Sequence, residues 1–155
     1  MARIPEKNPR FRTKSQIVGD LALVLNAPLS WGTQYAVVEE ALWVWSEFDG
    51  KYDGCERWSE AAWAGRKNRR ELRHDHGVPK KLLREELRAL RGKATTVTVE
   101  AILTNCMGTV ITKAEDAALT KAGYRAKLPS AETDPLARYR AIGIALRAKS
   151  ASDAV

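Results

Sequence analysis

The sequence predicts a mainly α-helical domain, with six or seven helices and one small two-stranded β element. Two observations carry that reading. Apolar residues recur at helical spacing through most of the chain, and only two short segments, 71–76 and 108–111, read as strands able to pair. The length of 155 residues supports a hydrophobic core of ordinary size. An apolar share of 45% and a charged share of 29% exclude disordered and fibrous classes.

The elements follow in order. Residues 1–14 contain two prolines and five basic side chains without apolar periodicity, and read as an extended basic arm. Residues 15–149 read as a single domain and 150–155 as a frayed tail. Ile17, Val18, Leu21, Val24 and Leu25 form a helical stripe that Asn26, Ala27 and Pro28 end. Over 34–48, Val38, Ala41, Leu42, Trp45 and Phe48 make a second stripe, with Glu39, Glu40 and Glu47 off it. Asp49-Gly50 and Asp53-Gly54 mark a loop or tight hairpin over 49–55. The segment 57–70 favours helix, with a small-residue ridge at Trp58, Ala61, Ala62 and Gly65.

The clearest helix covers 80–91. Leu83, Leu87 and Leu90 line one side, Lys81, Arg84, Arg88 and Arg91 cluster on another, and Gly92 stands at the C-terminal cap. Val99, Ile102, Leu103 and Cys106 predict a helix over 98–107, although 95–99 has strand character at its start. Gly108, Thr109, Val110 and Ile111 read as a strand. Thr112 and Glu115 match a capping box that opens a helix ending at Gly123. A linker over 129–133 leads to Asp134 and Pro135, which start a last helix running to about Lys149.

No apolar run approaches the ~20 residues of a membrane span, and the opening Met1, Ala2, Arg3, Ile4 and Pro5 make no signal peptide. With two cysteines, the composition suits a reducing, cytoplasmic setting without a disulfide framework or a membrane partner. The net charge of +7 is unevenly spread. Residues 1–14 carry a net +4, 15–65 a net −6, 66–93 a net +7 and the remainder a net +2. Such a chain steers an anionic partner to one region and away from another.

The basic block is the main functional signal. Arg66, Lys67 and Arg70 follow Trp63 at helical spacings, which places an aromatic ring among cations. Cations displace counterions from a phosphate backbone, and a ring can stack on a base. Lys81, Arg84, Arg88 and Arg91 extend that surface if the two helices lie side by side. A third group, Trp43 beside Glu39, Glu40 and Glu47, suits a protein-binding surface.

Both histidines of the chain fall in the run His74, Asp75, His76, Gly77, Val78 and Pro79. In a strand, His74 and His76 project to one side and Asp75 to the other. This run resembles the opening strand of HNH, or ββα-metal, nucleases. That resemblance implies a catalytic set of His74, Asp75 and His76, with His76 as general base and Asp75 on a divalent metal. The family's next helix carries another histidine, and this chain has none after His76. Outside that resemblance the sequence calls for no metal site and no cofactor. Together with Gly108 to Asp116 and the closing Arg138, Tyr139 and Arg140, the run also resembles a family of small bacterial proteins, which implies no chemistry.

The leading expectation is a small cytoplasmic protein, bacterial or from a phage, that binds nucleic-acid phosphates through a basic helical face. Two alternatives stand beside it. One is an HNH-like metal-dependent nuclease. The other is a protein-binding regulator or inhibitor of a nucleic-acid-processing complex, carried by a mobile element. The sequence sets no oligomeric state.

Overall fold

The computed structural model describes residues 6–8, 11–129 and 134–149. Much of the expected basic arm (1–5 and 9–10), part of the linker (130–133) and the expected tail (150–155) lie outside the described residues. In chain order the elements are α1 (Lys14–Asn26), α2 (Trp31–Ser46), β1 (Arg57–Ser59), α3 (Glu60–Ala64), β2 (Leu72–His76), α4 (Lys80–Ala89), α5 (Thr96–Thr104), β3 (Gly108–Thr112), α6 (Lys113–Lys121), α7 (Ala137–Ala141) and β4 (Leu146–Ala148). A 3₁₀ turn occupies Arg69–Glu71. The chain is therefore mainly helical with a small mixed sheet. No helix among the described residues is long and apolar enough to cross a membrane.

Helices α1, α2, α4 and α5 build one half of the molecule. Their buried residues include Ile17, Leu21, Leu25, Val38, Leu42, Leu83, Leu87, Val99 and Leu103. Burying each such side chain contributes roughly 1.5–3 kcal/mol, so this cluster dominates the stability of the helical half. Its corners are tied by polar groups. The Gln34 side chain, fully buried, donates to the Val24 and Ala27 carbonyls at 2.8 and 3.1 Å and so satisfies the exposed end of α1. Asn26 exchanges two hydrogen bonds with the Ala94 backbone, at 2.8 and 2.9 Å, pinning α1 to the loop before α5.

The sheet has strand order β2-β3-β1-β4, with β1 parallel to β3 and the two outer pairs antiparallel. His74 lies opposite Val110, and Trp58 opposite Val110 and Arg147. One sheet face thus carries Leu72, His74, His76, Val110 and Trp58, and packs on Cys55 and Ala62. The other carries Arg73, Asp75 and Ile111, and packs Ile111 against Leu119 of α6 and Tyr139 of α7.

Three expectations need correction. The sheet has four strands instead of two, because two short segments taken for helix are extended. Within 57–70, Ser59 acts as an N-cap, its Oγ accepting the Ala62 N–H at 3.0 Å, so Arg57 and Trp58 precede the helix as strand. The helix then stops at Ala64, before the basic residues. The last helix ends at Ala141 instead of Lys149, since Gly143 takes a left-handed φ of 73° and turns the chain back to pair as β4. Smaller shifts have local causes. The Thr95 hydroxyl caps the Thr98 N–H and starts α5 at Thr96, so the segment 95–99 is not strand. The Ser30 hydroxyl caps the Thr33 N–H and starts α2 at Trp31, ahead of its apolar stripe.

Candidate functional site

Helices α2 and α4 lie antiparallel, and their facing edges alternate aromatic and cationic side chains. On α2, Trp31, Tyr35, Glu39 and Trp43 recur every four residues and share one edge. On α4, Lys80, Arg84, Arg88 and the following Arg91 share another, flanking the buried Leu83 and Leu87. The guanidinium carbons of Arg88 and Arg91 lie 5.3 and 5.9 Å from the Trp31 ring centre, and that of Arg84 lies 5.3 Å from Tyr35. The Lys80 ammonium lies 5.4 Å from Trp43, with Lys51 at 5.7 Å. These are cation–π distances. A groove of about 190 Å³ runs between the rows, lined by Trp31, Tyr35, Lys81, Arg84, Glu85 and Arg88.

Glu39 braces this ladder. Arg84 donates to its Oε1 at 2.8 Å and to the Tyr35 hydroxyl at 3.0 Å, while Lys80 stands 3.5 Å from Oε2. Lys81 reaches Glu85 one turn on, at 4.0 Å. Among the described residues no carboxylate pairs with Arg88 or Arg91. The guanidinium of Arg91 donates to the Leu29 carbonyl at 3.1 Å.

The second basic group lies at the far end of β2. Arg66 stacks on Trp63 at 4.7 Å, with its Nη1 donating to the Trp63 carbonyl at 3.0 Å. Since α3 has already ended, this contact comes from a turn and not from the helical spacing expected of Trp63, Arg66, Lys67 and Arg70. Arg147 of β4 adds a guanidinium 4.3 Å from the same ring, and Trp58 meets it edge-on at 5.4 Å. Lys67 and Arg70 are exposed, while the neighbouring Arg69 is paired with Asp53 at 3.0 Å. The helix expected to carry the first basic group thus ends before it, and β2 stands in the chain between residues 66–70 and the cations of α4.

The acidic residues expected to surround Trp43 are largely engaged. Glu39 pairs with α4, Glu40 lies 3.5 Å from Arg12, and Glu47 is enclosed beneath the helix end with its pKa raised by burial. Trp43 is 40% exposed, and the charges nearest its ring are Lys51 and Lys80.

His74 and His76 project together from β2 under the C-terminal end of α2. The rings meet edge-on at 5.1 Å. Ser46 organises both. Its hydroxyl donates to the Trp43 carbonyl at 3.1 Å, which leaves the oxygen to accept from His76 Nε2 at 2.9 Å. His74 Nε2 donates to the Ser46 carbonyl at 3.3 Å, and its Nδ1 faces Glu47 Oε1 at 3.8 Å. Burial holds the imidazoles neutral, lowering the pKa to about 4 at His74 and about 3 at His76. Asp75 points to the opposite sheet face. It accepts hydrogen bonds from Arg138 and from the Tyr139 hydroxyl, the latter at 2.8 Å, and burial raises its pKa against both. The strand therefore separates Asp75 from the histidines instead of gathering the three at one point. Among the described residues no three His, Cys, Asp or Glu side chains are arranged to hold a metal ion.

Gly108 leaves room for this packing. A methyl group there would run into His74 Nε2 and stand 3.0 Å from Cys55 Sγ and 3.1 Å from the Ser46 carbonyl. Gly108→Ala is expected to destabilise by about 1–3 kcal/mol through overpacking, measured as a lower urea midpoint. An unchanged midpoint would mean that the histidine pair is looser than described.

Sequence reasoning missed Trp31, Tyr35 and Arg147. The first two carry a signal, since Trp31, Tyr35 and Trp43 fall at multiples of four; Arg147 carries none, being brought to Trp63 only by sheet pairing. No family model, no curated protein and no solved structure matches this chain.

Proposed function

We propose that the protein binds nucleic-acid phosphates, using the cations of α4 and, at the other end of β2, those of residues 66–70. The observation that carries this reading is the row of Arg88 and Arg91 beside the α2 rings, exposed and without a carboxylate partner among the described residues. Uncompensated guanidinium groups in a row suit a polyanion, because each phosphate they neutralise releases condensed counterions. The exposed Lys67 and Arg70 beside the Arg66–Trp63–Arg147 stack supply a second contact of the same chemistry. The net charge of +7 favours the encounter at range.

The test is the salt dependence of affinity for a labelled oligonucleotide, read by anisotropy. Replacing Arg88 and Arg91 by Ala removes two phosphate contacts. The slope of log K against log salt is then expected to become shallower by about 1.4–1.8. Lys67→Ala with Arg70→Ala is expected to do the same where that patch also touches the strand. An unchanged slope in both double variants would sink the proposal.

A further inference from the structure

We infer that the α2–α4 ladder is a track for single-stranded nucleic acid, in which Trp31, Tyr35 and Trp43 stack on unpaired bases while Arg88 and Arg91 hold the phosphates. This rests on the phosphate-binding reading above and adds the strandedness of the partner. The argument begins with the rings. Large aromatic side chains normally bury their area, yet Tyr35 is 38% and Trp43 40% exposed, and both stand on one edge of α2 with Trp31. An apolar protein partner would favour aliphatic neighbours around such rings. Here every ring is instead approached by a cation within 6 Å.

Alternation of rings and cations is the pattern that a single strand asks for. Bases have π-faces whatever their identity, and the backbone between them carries one charge per nucleotide. A duplex hides those faces, so rings on an open edge add nothing to duplex affinity. The dimensions agree. From Trp31 to Trp43 the helix rises about 18 Å, the length of roughly five stacked nucleotides and fewer extended ones. The groove between Trp31, Tyr35, Arg84 and Arg88 gives a base edge a place to enter. Glu39 does not oppose the strand's charge strongly, because Arg84 and Lys80 neutralise it and are held in register by it. The other patch offers a single ring from α3, Trp63, which rests edge-on against the buried Trp58.

The experiment compares three probes at one salt concentration, the two single strands being of equal charge. They are an oligothymidylate of about 12 nucleotides, within the usual single-strand site range, an abasic sugar-phosphate oligomer of that length, and a duplex. Anisotropy is expected to show the thymidylate binding about tenfold or more tighter than the abasic oligomer, with quenching of tryptophan fluorescence. Trp43→Ala and Tyr35→Ala, both at exposed positions, are expected to bring the thymidylate-to-abasic ratio toward one. Arg88→Ala is expected to weaken both probes. Equal binding of thymidylate and abasic oligomer, or a preference for duplex, overturns the single-strand inference and leaves phosphate binding standing. Failure to bind any probe at low salt overturns both.

Discussion

Replacing Arg138 by Met is expected to lower the stability of the fold by about 3–5 kcal/mol. Arg138 is 2% exposed and reaches three partners from α7: the Asp75 carboxylate, the His76 carbonyl at 2.6 Å and the Tyr124 carbonyl at 2.7 Å. Methionine keeps much of the volume, so the loss comes from polar groups left without partners and not from a void. Asp75 would keep the Tyr139 hydroxyl and the His76 backbone N–H but lose its counter-charge, and that unpaired carboxylate, with a side chain only 21% exposed, accounts for most of the cost. The measurement is the urea midpoint at constant m-value. A loss below about 1 kcal/mol would mean that Asp75 is reached by solvent once the guanidinium is gone. A second substitution, Asp75→Asn in the Arg138→Met background, is expected to restore about 1–3 kcal/mol, because it removes the stranded charge and keeps the side chain's shape. No restoration would assign the loss to the two carbonyls alone. The same experiment bears on Asp75 itself, since a residue bound to Arg138 and Tyr139 on the far sheet face is holding α7 in place.

The partition between what the residues announce and what they conceal follows from sequence distance. Leu83, Leu87 and the cations of α4 announce an amphipathic helix because their spacing is local. The alternation of His74, Asp75 and His76 likewise places the histidines on one face. Their partners are not local: Arg138 lies 63 residues from Asp75, and Ser46 lies 30 from His76. No periodicity encodes such contacts. The pairing of α2 with α4 belongs between these cases. Each row is visible in its own helix, but only packing brings Arg84 to Glu39, 45 residues away, and converts an expected acidic surface and an expected basic one into a single braced ladder. Strand β4 is concealed for another reason. Three residues are too few for a period, and the decisive feature is the left-handed turn at Gly143, whose effect depends on β1 being there to receive the chain.

Acidification from pH 7.5 to pH 5 is expected to destabilise the protein by about 4 kcal/mol through His74 and His76 together. The sign follows from where the protons bind. In the unfolded chain both imidazoles titrate near ~6.5, whereas in the folded protein burial holds them at about 4 and about 3. Between those values the unfolded chain takes up two protons that the native state refuses, so stability falls as the pH falls, by up to about 2.7 kcal/mol per pH unit. The stability is fully present above the unfolded value and is lost progressively below it. Burial is the main cause, and the charges around the pair add to it. Lys51 and Lys80 disfavour a charge on His74, and the neighbouring His74, Lys80 and Arg138 disfavour one on His76. Glu47, whose carboxylate stands 3.8 Å from His74 Nδ1, has its own pKa raised by burial. Glu47 and Asp75, both raised by burial, take up protons in the native state as the pH falls and blunt the loss. Comparison with a variant that lacks both imidazoles therefore isolates the histidines' share. Urea midpoints at pH 7.5, 6 and 5 measure the effect. The double variant His74→Gln and His76→Gln, whose amides can still donate to Ser46, is expected to lose the histidine-driven fall between pH 7.5 and pH 5. Parallel profiles for wild type and variant would remove the histidines as the cause. A steep wild-type profile with a flatter variant identifies the pair as neutral, buried donors that lock the end of α2 to the sheet.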